Sequence, residues 1–210
     1  AEAVTAGPVL IIDEHLADSD AFAYENDRTE DMWALSDYVK KGIEVLDNDT
    51  GFFMMVEGGK IDWACHANDA GSTIADTIAL SDAVEEAVAF AKQHPDETLI
   101  LVTGDHETGG LTTDYEVQKL KDAYAATMDP DRAKADPANQ AEYVLYGTYE
   151  PLSVTITHLL NNKSGINFSS YAHTGLPVAV FAQGAGQDLF GGFYDNTQIY
   201  HKLTDLLDVK

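Results

Sequence analysis

Two apolar runs of five residues set the tightest limit on how this 210-residue chain can fold. Phe52–Val56 and Thr98–Val102 are too short for ordinary helices, lack alternating polar positions and are bordered by turn signals, which suits strands buried on both faces. Each breaks off into glycine and charge: Glu57-Gly58-Gly59 after the first, Gly104-Asp105-His106-Glu107 after the second. Between them Asp82 stands three residues before Glu85 in capping-box register, Val84, Val88 and Ala91 share a face, and His94-Pro95 closes the stretch. That pattern predicts a helix over about 82–93. Strand, helix, strand is the parallel crossover unit, and ligands of such sheets bind beyond the carboxyl ends of the strands, where both charged clusters lie. The expected fold class is therefore α/β, part of a three-layer αβα sandwich with a mainly parallel sheet.

The flanking segments fill in this frame. Leu35, Val39, Ile43 and Leu46 recur at helical spacing with charged residues between them, and Asp47-Asn48-Asp49-Thr50-Gly51 supplies the turn that follows. Pro177–Ala182 is a third apolar run, and Asn196 is placed to cap a last helix with Ile199, Leu203 and Leu206 inward. Residues 111–150 change character and read as an insert or lid at the charged edge, with Tyr143, Tyr146 and Tyr149 as packing residues and Ser153 as the cap of a short helix through Leu160.

Charge excludes whole classes of function. Twelve Lys and Arg stand against 36 Asp and Glu, a net −24 that repels polyanions and argues against a nucleic-acid-binding surface. A phosphate-bearing ligand would need a locally positive site made by metal ions or focused donors. The same acidity serves solubility, and equally suits a salt-rich medium. The single cysteine, Cys65, makes no internal disulfide and leaves the redox compartment open. No run of about 18 apolar residues marks a membrane span. The first ten residues lack both an initiator methionine and a secretion-signal pattern, the expectation for a chain that begins partway through a longer one.

Three groups of metal-ligand types stand out: Glu57 with Asp62 and His66, Asp105 with His106, and His173. Asp62 and His66, four apart, share one face if Asp62 opens a helical turn. Asp105 and His106 are adjacent, and both can turn toward one ion only at a strand tip, where Gly104 frees the backbone. Two histidines with one carboxylate and an open position suit catalytic zinc; an oxygen-only ligand such as Glu57 suits magnesium. Two such metals about 4 Å apart stabilise the attacking and leaving oxygens of an in-line phosphoryl displacement. The competing reading is that Asp62 and His66 form an ordinary surface pair; His15, His94, His158 and His201 lack such company and read as surface or core residues.

Taken together, Val56-Glu57-Gly58-Gly59-Lys60-Ile61-Asp62 with His66 four residues on, Thr103-Gly104-Asp105-His106-Glu107-Thr108-Gly109-Gly110, and His173-Thr174-Gly175 resemble the carboxyl-terminal half of the bacterial alkaline phosphatases. Tyr24-Glu25-x-Asp27-Arg28 belongs to the same resemblance, which covers most of the chain and is weak over 111–150. It implies that Asp62, His66 and His173 bind a first zinc, which activates water, that Asp105 and His106 bind a second, which activates a serine nucleophile, and that Glu57 holds magnesium. Trp63, at a position variable in the family, would line the phosphate site. The family's metal-binding aspartate strand, Asp-Ser-Ala nucleophile turn, magnesium-binding threonine and phosphate-clamping arginine have no counterparts. Asp18-Ser19-Asp20 precedes the Tyr24 segment, out of family order; Arg28 belongs to that segment and Arg132 to the insert.

The resemblance thus implies metal-dependent hydrolysis of phosphomonoesters by a two-zinc, one-magnesium site. It implies as well that the catalytic nucleophile lies outside this chain and that activity requires an amino-terminal half as partner. Inorganic phosphate as ligand, a homodimer, and a periplasmic or extracellular location are implied too. The alternatives are a catalytically incomplete metal-binding or interaction module, or a superfamily relative such as a phosphoglycerate mutase or sulfatase.

Overall fold

The computed structural model of the protein describes residues 8, 10–14, 16, 21–113, 157–158, 160–161 and 163–208. Two compact units divide the chain: one comprises Ala1–Gly59, Ala75–Glu107 and Gly175–Lys210, the other Lys60–Ile74 and Thr108–Thr174. The expected insert lies almost wholly outside the described residues, as do its tyrosines, Ser153, Arg132 and His15. No helix among the described residues is long and apolar enough to cross a membrane.

In the first unit, helix α1 spans Leu35–Leu46, as the 3.6-residue periodicity predicts. The Ala34 N–H donates to the Asp37 carboxylate at 2.9 Å, which satisfies one of the free donors at the helix start. Val39 is buried on its inner face. Gly42 leaves room for the end of Met54, and Phe52 meets Phe90 edge to face with centroids 5.6 Å apart. Phe52 and Met54 thus turn inward, whereas Phe53 and Met55 stand 64% and 80% exposed. The run expected to be buried on both faces is covered on one, and it has no ladder partner among the described residues.

Strand β1, Leu99–Thr103, forms as expected, but its neighbour is β6, Val180–Gly184, running antiparallel with Leu101 opposite Ala182. The parallel pairing anticipated with residues 52–56 is absent among the described residues. Antiparallel neighbours such as β1 and β6 need no handed crossover between them. A 3₁₀ turn, Gln187–Phe190, buries Phe190, and helix α4, Thr197–Leu206, ends the described chain. Its cap is Asp195 rather than Asn196: the Asp195 carboxylate accepts from the Thr197 backbone N–H at 3.0 Å and from its hydroxyl at 2.7 Å. Leu206 lies against Gly186, although its side chain remains partly exposed.

The second unit is built round helix α2, Gly59–His66, the start of helix α3, Ala70–Ala91, and the short strands β2, Glu107–Thr108, β3, Thr112–Thr113, β4, Ile166–Asn167, and β5, His173–Thr174. Strands β3 and β4 pair antiparallel. Helix α3 begins twelve residues before Asp82, since 82 − 70 = 12, so the capping-box pattern at Asp82 falls inside it. The cap in use is Asp69, whose carboxylate accepts from the Ser72 backbone at 3.1 Å and the Ser72 hydroxyl at 2.9 Å. The unit's interior is unusually polar: around the wholly buried Ala64 lie Cys65, Asn68, Thr73, Thr108 and Asn161. Asn161 accepts from the Ala70 N–H at 3.3 Å and donates to the Asn68 carbonyl at 2.6 Å, so these buried groups are hydrogen-bonded.

Candidate metal centre

Helix α2 carries the first two ligand candidates. Its buried side is Lys60, Ala64 and Cys65, which directs Asp62 and His66 together to the open side, one turn apart. His173, 107 residues beyond His66, joins them from β5. His66 Nε2 lies 3.1 Å from His173 Nε2, and Asp62 Oδ1 lies 3.5 Å from the first and 3.6 Å from the second. Donors held at about 2.0–2.1 Å by a tetrahedral ion are separated by about 3.3 Å, against about 2.9 Å for neighbouring ligands of an octahedral one. The triangle has the size and the nitrogen-rich composition that zinc takes.

Tautomer and orientation are set from behind. His66 Nδ1 is 2.6 Å from the Tyr171 carbonyl, an acceptor only, so Nδ1–H donates and, in the neutral ring, Nε2 is the nitrogen whose lone pair faces the triangle. The buried Thr108 hydroxyl donates to Asp62 Oδ1 at 2.5 Å, the oxygen that faces both imidazoles. Gly109 fastens the loop leading to His173: its N–H donates to the Ala172 carbonyl, and its carbonyl accepts from the Ser169 and Ser170 N–H groups. Its φ of +85° and the crowding are decisive, since a Cβ there would come within 2.9 Å of the Cys65 carbonyl and 2.7 Å of the Phe168 ring.

The other expected ligands lie in the other unit. Asp105 and His106 follow β1 as a strand tip, with His106 Nε2 and Asp105 Oδ2 3.4 Å apart and the Asp105 side chain 87% exposed. Glu57 is exposed, its carboxylate folded back over Gly59. Trp63 is 37% exposed and, within its own unit, has the Lys60 ammonium 3.7 Å above its ring. His94 stacks on Phe90 and His201 packs edge-on to Tyr200. His158 differs from these: its Nε2 shares a 3.1 Å hydrogen bond with the Tyr171 hydroxyl, and burial pushes its pKa below the ordinary histidine value.

Sequence reasoning passed over Thr108, Tyr171, His158 and Lys60 as functional residues. Thr108 stood inside a motif already picked out, so its place beside two ligand types was a usable signal. Tyr171 contributes a backbone oxygen, which no residue type announces.

A family model described as Alkaline phosphatase matches residues 15–209. Alkaline phosphatase 3 of Bacillus subtilis is 30% identical over 203 residues, covering 82% of this chain and 44% of that protein. The chain therefore spans less than half the length of this relative. Among solved structures, the cold-active alkaline phosphatase of a psychrophilic Shewanella superposes with a TM-score of 0.69 at 29% identity, over 89% of this chain and 53% of that one. A variant of the alkaline phosphatase from the Antarctic bacterium TAB5, solved with magnesium bound in its M3 site, gives 0.61 at 28% identity over 89% and 44%. The α/β fold is that of these enzymes.

Proposed function

This chain belongs to the alkaline phosphatase family, and from that premise we propose that it supplies the metal-holding part of a phosphomonoester hydrolase. The observation that carries the reading is the triangle of Asp62 Oδ1, His66 Nε2 and His173 Nε2, which matches the tetrahedral spacing of zinc. In this reading Asp105 and His106 hold a second zinc, Glu57 holds magnesium, and Trp63 borders the phosphate. The ions would supply Lewis acidity toward phosphoryl oxygens and a lowered pKa for water. They also give an anionic protein the local positive charge that a phosphate monoester requires.

The chain's own residues do the positioning. The His66 Nδ1–H bond to the Tyr171 carbonyl selects the tautomer in which the neutral ring turns its Nε2 lone pair to the triangle, and Thr108 holds the Asp62 oxygen toward the two imidazoles. A serine nucleophile and an arginine clamp come, in this proposal, from outside residues 1–210, as an amino-terminal half of the same enzyme. Homodimerisation and a periplasmic or extracellular location belong to the same reading.

The test pairs elemental mass spectrometry with p-nitrophenyl phosphate hydrolysis at alkaline pH, on the intact protein and on Asp62→Ala and His173→Ala. Each variant is expected to lose one zinc per chain and, where the unaltered protein turns over, to lose chelator-sensitive turnover. Zinc content unchanged in both variants would remove these residues from the ligand set. Turnover of sulfate monoesters in preference to phosphate would move the activity to another member of the superfamily.

A further inference from the structure

We propose that Tyr171, tethered through its hydroxyl to His158, is a positioning residue for His66. The inference rests on the reading of Asp62, His66 and His173 as a zinc triad and extends it one layer outward. Tyr171 meets the triad through its backbone, by the 2.6 Å bond from His66 Nδ1. Its side chain reaches the other way, to His158 Nε2 at 3.1 Å. One residue therefore has two handles, and a change at one is felt at the other because the peptide between them is held on both sides.

That rigidity has identifiable sources. The Ala172 carbonyl accepts from the Gly109 N–H at 3.0 Å, the Ala172 N–H donates to the Ser170 hydroxyl at 2.9 Å, and the Ser170 N–H donates to the Gly109 carbonyl at 3.0 Å. Turned to satisfy its partners, the Asn68 amide donates to the Ser170 carbonyl at 2.7 Å. The loop is thus held at 170 and 172. Between them Tyr171 is 41% exposed, and His158 meets its hydroxyl at 3.1 Å, a specific contact that bears on the tilt of the residue. Burial lowers the His158 pKa and so favours the neutral imidazole, in which one ring nitrogen carries a lone pair and the other a proton, either of which a hydroxyl can meet.

Chain order gives the tether a second consequence. His158 is the first histidine after the segment 111–150, so the point where the chain returns from that segment is linked to His66 through a single intervening residue.

The experiment measures zinc affinity by competition in the intact protein, with cobalt substitution to read the ligand field and nitrogen-15 spectra to read the His66 tautomer. Tyr171→Phe keeps the ring and the carbonyl and removes the hydroxyl; His158→Leu removes the other partner. Each is expected to weaken zinc binding about three- to tenfold, somewhat below the usual effect of a direct outer-shell contact, and to shift the cobalt bands. The double variant should be no weaker than either single one, and His158→Gln, which can still reach the hydroxyl, should restore affinity. Affinity within twofold of the unaltered protein in both single variants, or additive losses in the double, would overturn the tether. If Tyr171→Phe fails to fold, the comparison of His158→Leu with His158→Gln decides alone. Zinc absent from the unaltered protein would instead remove the triad reading, an outcome separate from failure of the tether.

Discussion

A single hydroxyl shows how finely the site is set at the scale of the residue. Thr108 is buried, and its one donor goes to the Asp62 oxygen that faces His66 and His173. Without that donor the carboxylate loses its preferred rotation, and contacts of this kind are worth about 10–100-fold in metal affinity. Thr108→Val is therefore expected to weaken zinc binding about tenfold at unchanged melting temperature, with Thr108→Ser recovering most of it, as read by chelator competition. Equal affinities for Val and Ser would show that the hydroxyl holds nothing. That Asp62 and His66 share one helix face was legible in the sequence from their four-residue spacing, and His173 stood out by its Thr-Gly flank, though nothing local told that it would meet them. What escaped was geometry made by backbone atoms, such as the Tyr171 carbonyl, and by long-range partners, such as His158.

At the scale of the element, the sequence located helices and strands better than it located their starts and their neighbours. Helix α1 and strand β1 follow directly from periodicity and from an unbroken apolar run. Helix α3 does not: Asp82 and Glu85 make a capping pattern, but the same residue types are tolerated inside a helix, and the effective cap is Asp69. The pairing of β1 with β6 joins residues about 80 apart, which no local pattern encodes. Helix α4 allows a pH test of a cap. The hydroxyl and backbone of Thr197 lower the Asp195 pKa below its ordinary 3.8. A depressed folded pKa means that the capping contribution is fully present above the unfolded value and is lost as pH falls through the folded one. Amide exchange in the first turn of α4 is thus expected to quicken as pH drops below about 4 beyond the intrinsic trend. In Asp195→Ala the first turn should be frayed already at neutral pH and show no such step. An acid step surviving in that variant would place the titrating group elsewhere.

The whole molecule is governed by its charge and by how far apart in the chain its site is drawn from. A net −24 on 210 residues opposes compaction, and raising salt from 0.1 M to 1 M shortens the screening length from about 10 Å to about 3 Å. The melting temperature followed by circular dichroism should therefore climb with sodium chloride over that range; a flat or falling curve would mean that the acids are already neutralised by bound cations. The α/β class was readable from the apolar runs, whereas the exposed outer positions of residues 52–56 were not, since hydrophobicity alone does not say what covers a face. One feature reaches further: His66 and His173 meet across 107 positions of sequence. An ion held by both is a cross-link, and it ties off a loop that contains all of residues 111–150. Closing such a loop depends only logarithmically on its length, so doubling it costs about 0.6 kcal/mol. Evolution can lengthen, shorten or exchange that stretch at almost constant expense to the fold, which makes it the natural place for descendants of this sequence to diverge.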